Sequence, residues 1–112
     1  MKNEALIEGE CSVCHADLVS EIQEKQAEVE RRIYATGYQL EYLTEMLAEA
    51  VASGEYSEDE LNAIRSLARD AQFYWDYVFV ENSEGAHNFA LTHECLDKTE
   101  ALCNEALNLF KR

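Results

Sequence analysis

Two cysteines and a histidine near the N-terminus form the arrangement with the clearest chemical meaning in this sequence. Residues Cys11-Ser12-Val13-Cys14-His15 make a Cys-x-x-Cys-His motif. At this spacing two thiols lie within one turn and can reach the two vinyl groups of a porphyrin, while the adjacent imidazole can bind its iron. We therefore predict one covalent haem c, with Cys11 and Cys14 as attachment sites and His15 as the proximal iron ligand.

The same motif has haem-free interpretations, because two cysteines three positions apart also form half of a zinc site or a redox-active dithiol. Cys95 and Cys103 are the other two cysteines of the chain. Their separation is too large for a disulfide within a straight helix, so we expect them to be small core residues. In the alternative, they join the two motif cysteines in a zinc site, with His93 or His15 within reach.

A haem iron held by His15 has a second axial position, for which the chain offers His87 and His93. We favour His87 because it follows a break in the helical pattern at Gly85, where an imidazole near a helix start can be aimed inward. A chain that runs out along one helix and back along the next would also return His87 towards the motif. Single helical histidines are more often ordinary surface residues than ligands, so that alternative stays open.

The composition indicates one small helical domain over residues 1–112. The chain has no proline and four glycines, and Glu, Ala and Leu dominate, which favours helices with short connections. Its formal net charge of -14 would repel nucleic acids and anionic membrane surfaces, so we expect neither as a partner. We expect basic redox partner proteins or other cytochromes, although the acidic residues could equally serve only to solvate the helices.

The sequence was searched for segments that direct a protein into or across a membrane. No stretch approaches the roughly 18 apolar residues of a membrane span, so we expect no membrane insertion. The segment before Cys11 is shorter than the about 15 residues of the shortest cleavable signal peptides. Because bacteria attach haem to this motif outside the cytoplasm, we expect a mature or truncated chain without its signal peptide. Its location would be periplasmic or extracellular if haem is attached.

Apolar spacing predicts an all-α, up-and-down three-helix bundle with one long N-terminal helix. Steps of three, four or seven residues define the apolar stripe of this helix: Leu18, Ile22, Val29, Ile33, Leu40, Leu43, Leu47 and Val51. The predicted ranges are a haem-attachment lead-in over 1–16, the long helix over 17–53, a second helix over 57–82 and a third over 86–111. Short connections between them require antiparallel neighbours.

Local signals support these boundaries. Gly54 can end the long helix in the left-handed conformation, and Ser57 with Glu60 forms a capping box for the second helix. Gly37 lies inside the stripe without a helix-ending partner, so we expect it to permit the close approach of another helix or of haem. A dense aromatic block in the second helix predicts either a core with a dimer interface or a wall facing haem. Its members are Phe73, Tyr74, Trp75, Tyr77 and Phe79.

Four stretches carry a resemblance to a known family. They are the Cys-x-x-Cys-His motif, Ala35-Thr36-Gly37-Tyr38-Gln39, Ala71-Gln72, and Asn82-Ser83-Glu84-Gly85-Ala86-His87-Asn88. With these, nearly the whole chain resembles the C-terminal haem-binding helical part of the pentahaem cytochrome c nitrite reductases, the ammonia-forming cytochrome c552 family. The resemblance implies a multihaem-cytochrome-like fold in which Cys11 and Cys14 attach the last haem and His15 is its proximal ligand. It implies His87 as an axial ligand of this or a neighbouring haem, and a homodimer through the long helices.

The sequence also departs from that family. It contains neither the Cys-x-x-Cys-Lys motif of the catalytic haem nor the other haem motifs, so we expect no enzymatic activity from this chain on its own. Phe89 stands where the family usually has proline. Our first hypothesis is electron transfer by a monohaem c-type cytochrome domain with bis-histidine iron. The alternatives are a haem-free interaction module, with Cys11 and Cys14 as a disulfide or zinc ligands, and a non-catalytic fragment or subunit of a multihaem nitrite reductase.

Overall fold

The computed structural model describes residues 12–84 and 88–111, with side chains from residue 18 onwards. Within these residues the chain forms three helices and no strand, which confirms the all-α prediction. Helix α1 spans Ser12–Ser53, α2 spans Glu58–Ser83 and α3 spans Phe89–Leu107, and each packs against the other two. None of the three combines the length and the apolar character needed to cross a membrane.

Three helix boundaries differ from the predicted ones by three residues or more. Helix α1 begins at Ser12 rather than at residue 17, because no proline or glycine interrupts the chain between the haem motif and the apolar stripe. Helix α3 begins at Phe89 rather than at residue 86, because the Asn88 side chain caps it by accepting a hydrogen bond from the Leu91 N–H at 3.0 Å. It ends at Leu107, four residues before the predicted end.

The connection between α1 and α2 has the predicted caps. Gly54 has a φ of 71°, the left-handed conformation in which glycine is favoured after a helix. The Glu60 N–H donates to the Ser57 hydroxyl at 3.1 Å, and the Ser57 N–H donates to the Glu60 carboxylate at 2.7 Å. This second hydrogen bond lowers the pKa of Glu60. The capping box and the glycine signal are therefore both confirmed.

Two apolar clusters form the core along the length of the bundle. The cluster nearer the α1–α2 connection contains Leu40, Leu43, Ala50, Leu61, Ile64, Ala71, Cys103, Ala106 and Phe110. The other contains Val29, Ile33, Val78, Cys95 and Leu96. The middle of the predicted stripe is thus buried, but its ends are not, with Leu18 55%, Ile22 40% and Val51 48% exposed. Spacing identifies the apolar face of a helix without showing whether a partner covers it.

Gly37 permits the close approach of another helix, as predicted. A β-carbon at this position would lie 3.2 Å from Cζ2 of Trp75 on α2. The indole N–H of Trp75 donates to the Ile33 carbonyl at 2.8 Å, and its ring stacks on Phe79 with centroids 5.2 Å apart. The missing side chain of Gly37 therefore makes room for an indole that is held by both a hydrogen bond and a stacked ring.

Candidate functional site

The predicted haem-binding residues lie mostly outside the described part of the chain. Cys11 and His87 are not among the described residues. The backbones of Cys14 and His15 lie in the first turn of α1, but their side chains are outside the described set. The haem site therefore stays a prediction for Cys11, Cys14, His15 and His87. The described residues nearest to the motif show whether their surroundings fit haem.

Helix α1 is much longer than the helices packed against it. The Gln26 amide donates to Asn82 Oδ1 at 2.5 Å, and this hydrogen bond places the last turn of α2 beside residue 26 of α1. His15 lies 11 residues earlier on α1, which is about 17 Å of helix axis. The chain therefore returns along α2 only part of the way to the motif, and the described residues from 18 to 25 are all exposed.

The apolar stripe of α1 continues into this uncovered segment. Ile22 and Leu18 precede Gln26 in steps of four residues, so they occupy the same helix face as the buried stripe. Leu18, Val19 and Ile22 are exposed to 55%, 39% and 40%. An apolar face that none of the described residues covers, directly beside a Cys-x-x-Cys-His motif, fits a flat apolar macrocycle attached at the motif. The described residues therefore fit haem at this end of α1.

A polar atom at the edge of the same segment also lacks a partner. Oε1 of Gln26 is buried and accepts no hydrogen bond from any described residue. A buried acceptor without a donor costs about 1–3 kcal/mol. We therefore expect a donor from outside the described residues at the level where α2 ends.

His93 is held by two side chains of α1. Its Nδ1 lies 2.8 Å from Arg32 Nη1, and its Nε2 lies 3.4 Å from Glu28 Oε1. A guanidinium only donates hydrogen bonds, so Nδ1 is the acceptor in its contact with Arg32. Both ring nitrogens are thereby engaged within the bundle. Of the two candidates for the second axial position, His93 is the less available, which favours His87.

Arg32 joins this histidine to two acidic residues of α3. Its Nη2 donates to Asp97 Oδ1 at 2.9 Å and to Glu100 Oε1 at 2.7 Å. This network has no signal in the sequence, because His93 and Glu100 lie 61 and 68 positions from Arg32 and no local spacing connects them. Since Arg32 is largely buried, at 22% exposure of its side chain, the network ties the start of α3 to α1.

Replacing Arg32 by alanine is expected to lower the free energy of unfolding by about 1–2 kcal/mol, because His93 and Glu100 lose a shared donor at a half-buried position. Arg31 is the matched control, since it is exposed and its neighbour in sequence. Arg31→Ala should change the free energy by less than about 0.5 kcal/mol. Urea titrations followed by far-UV circular dichroism measure both values, and equal effects of the two substitutions would contradict the role of the network.

The two remaining cysteines are core residues, as expected. Cys95 and Cys103 are free thiols with exposures of 6% and 0%. Burial raises the pKa of both thiols, whereas zinc binds the thiolate. Among the described side chains, those of residues 18–84 and 88–111, no group of three or more from His, Cys, Asp or Glu is arranged to hold a metal. The zinc alternative thus has no support from the described residues.

The aromatic block of α2 divides between the core and the surface. Trp75 and Tyr74 pack on the core clusters, whereas Phe73, Tyr77 and Phe79 are exposed to 66%, 41% and 47%. Trp75 lies beside Gly37, 22 residues along α1 from His15, which is about 33 Å of helix axis. At that distance the middle of the block is too remote to line a haem attached at the motif.

Comparison with known proteins identifies the relatives of this sequence. The sequence model of a family described as cytochrome c552 matches residues 5–111. Cytochrome c nitrite reductase subunit NrfA of Nitratidesulfovibrio vulgaris, strain Hildenborough, is 36% identical over 52 residues, which cover 46% of this chain and 10% of that protein. The chain thus matches about a tenth of the length of this relative. No solved structure matches the chain.

Proposed function

The chain belongs to the cytochrome c552 family, and we propose that it carries one haem c and transfers electrons. In this proposal Cys11 and Cys14 would hold the porphyrin through thioether bonds, and His15 and His87 would be the two ligands of the iron. When bound, the iron supplies one-electron chemistry between its ferric and ferrous states. Two axial imidazoles leave no coordination position for a substrate, so the proposed activity is electron transfer alone.

The observation that carries this proposal is the apolar stripe of α1 that extends past the end of α2. Leu18, Val19 and Ile22 would remain in water if only the described helices were present. Removing apolar surface from water is worth about 25 cal/mol per Å². A porphyrin against these side chains extends the core by the same physical effect that packs Val29 and Ile33 further along the helix.

The chain's own residues position the segment that contains His87. Asn88 caps α3 and thereby fixes where this helix begins, one residue after His87 in the sequence. Arg32 holds the first turns of α3 against α1 through His93 and Asp97. In the proposal these contacts keep the His87 imidazole at a constant position, and they confine His93 to the bundle so that it does not compete for the iron.

We further propose a periplasmic location and a basic redox partner. Attachment of haem to a Cys-x-x-Cys-His motif in bacteria takes place outside the cytoplasm, so a protein that carries haem c has been exported. The chain has 23 acidic and 9 basic residues. Such an excess steers association towards a partner with a basic patch, and the rate of association should fall as salt concentration rises.

A second candidate is that the chain relays electrons within a larger multihaem nitrite reductase assembly, with His87 bound to a neighbouring haem. Two observations favour it. The similarity to NrfA covers only a tenth of that protein. In addition, α2 ends beside Gln26, 11 residues short of His15, which is about 17 Å along α1.

Visible absorption spectra test the proposal and separate the two candidates. The chain is produced in a bacterium with an active cytochrome c maturation system, and its spectrum is recorded in the oxidised and reduced states. The first candidate predicts a reversibly reducible, six-coordinate low-spin iron. High-spin, five-coordinate iron would favour the second candidate, because His87 would then lack its own haem. A colourless protein from a host that matures another c-type cytochrome would contradict both.

Replacing His87 by alanine is expected to convert the low-spin iron completely to a high-spin form, because the second axial imidazole is lost. His93→Ala is the matched control and should leave the spectrum unchanged, since its ring nitrogens already contact Arg32 and Glu28. Loss of the low-spin spectrum in the His93 variant alone would show that His93, and not His87, is the second iron ligand.

A further inference from the structure

An open groove lies between α1 and α2, away from the haem region. Its volume is about 510 Å³. The side chains that define it are Tyr34, Tyr38, Glu41 and Glu45 from α1, and Trp75 and Phe79 from α2. We call it the aromatic groove. Of the groove residues on α1, Tyr34 is nearest to the motif. It lies 19 residues from His15, which is about 28 Å of helix axis. The groove therefore has no part in holding haem.

The aromatic rings of the groove form an exposed and partly fixed surface. Tyr34 and Tyr38 are 67% and 70% exposed, which is unusual for side chains of this size. Trp75 is fixed by its hydrogen bond to the Ile33 carbonyl and by its stacked contact with Phe79, with an interplanar angle of 15°. Rigid aromatic surfaces bind a partner at a low cost in conformational entropy.

Two carboxylates lie on the same side of α1 as these rings. Glu41 and Glu45 are four residues apart, so they lie one turn apart on one helix face. Both are exposed, and neither forms a hydrogen bond or ion pair within the described part of the chain. No lysine, arginine or histidine lines the groove. Aromatic faces attract cations, and carboxylates bind guanidinium groups through paired hydrogen bonds.

We propose that the aromatic groove docks an arginine-bearing segment of a partner protein. Guanidinium is the cation that suits both surfaces, because it stacks flat on aromatic rings and fits carboxylates. The groove runs from Tyr34 to Glu45, 11 residues of α1, or about 17 Å. That length suits about three turns of a helix and exceeds the size of one small cation.

Charge argues against a second copy of this chain as the occupant. The formal net charge is -14, so two copies of the chain repel each other as they approach. Like charges in an interface cost affinity and suppress such a pairing. A basic segment gains from the same charge. This inference rests on the basic partner of the proposed function and names the surface that binds it, but it concerns no residue of the haem site.

Titration with a synthetic amphipathic helical peptide tests the proposal. The peptide presents arginine and leucine along one face, and a second peptide carries neutral citrulline in place of each arginine. Calorimetry measures the dissociation constant of the haem-loaded chain, and the indole N–H resonance of Trp75, the single tryptophan, reports the place of binding. We expect the arginine peptide to bind and shift this resonance, and the citrulline peptide to bind at least about fivefold more weakly.

Two double variants of α1 supply the matched comparison. E41Q/E45Q removes the groove carboxylates, whereas E30Q/E49Q makes the same change in net charge at exposed positions outside the groove. The groove variant should weaken peptide binding about fivefold or more, and the control variant less than about twofold. Because glutamine and glutamate have similar helix propensities, both variants should fold.

Several results would overturn the proposal. They are an absence of peptide binding at low salt, equal weakening by the two double variants, and equal binding of the citrulline peptide. Free arginine amide binding as tightly as the peptide would identify a small-cation site instead. A stable dimer of the chain with the Trp75 indole N–H buried in its interface would identify a second copy as the occupant. Each of these readouts is independent of the haem spectrum.

Discussion

A chain with both Cys11 and Cys14 replaced by serine is expected to carry no covalently bound haem. The two thioether bonds at these positions are the only proposed covalent links, and a serine hydroxyl does not replace a thiol in that reaction. Either single variant should retain one bond and reduced haem content. Haem staining of the protein after denaturing electrophoresis measures the outcome, because haem that is only coordinated is lost under those conditions.

Cys95 and Cys103 supply the control for this experiment, because they are thiols of the same chain. Both are buried in core clusters on the described part of the bundle. Alanine at both positions should leave the haem content per folded chain unchanged, with some loss of stability from the smaller side chains. Staining that survives the Cys11 and Cys14 double variant, or that disappears with Cys95 or Cys103, would place the attachment site elsewhere.

Replacing Leu96 by alanine is expected to lower the free energy of unfolding by about 2–5 kcal/mol. Leu96 is completely buried on α3, in the cluster with Val29 and Ile33 of α1 and Val78 of α2. The substitution removes apolar contacts to both other helices and leaves a cavity. Because single domains are stable by only about 5–15 kcal/mol, this change is a large share of the total.

Leu109 is the matched control for Leu96, since it is the same residue type near the end of the chain and is 46% exposed. Its replacement by alanine should cost less than about 1 kcal/mol. Urea titrations monitored by far-UV circular dichroism give both values. Similar losses at Leu96 and Leu109 would contradict the packing of α3 between α1 and α2.

Features encoded by residues close in sequence could be predicted well. Gly54 and the pair Ser57 and Glu60 act through local backbone hydrogen bonds, so their types and spacing were sufficient to predict the turn between α1 and α2. The three- and four-residue spacing that includes Val29 and Leu43 identified the buried face of α1. The prediction for Gly37 also held, because a glycine inside a strong helical pattern usually marks a close contact.

Features that depend on residues distant in sequence could not be predicted. The exposure of Leu18 and Ile22 depends on where α2 ends beside α1, and that register is set by contacts such as Gln26 with Asn82. The network of Arg32 with His93 joins positions 61 residues apart. The aromatic groove could have been suspected from Tyr34 and Tyr38, which lie four residues apart and away from the core stripe.

The mass of the intact chain under denaturing conditions tests the central claim most directly. The claim is that haem, joined to Cys11 and Cys14, covers the apolar face of α1 beyond the end of α2. After production in a host with cytochrome c maturation, we predict the mass of the polypeptide plus one haem. The mass of the bare polypeptide, or of the polypeptide less two hydrogen atoms for a disulfide, would contradict it.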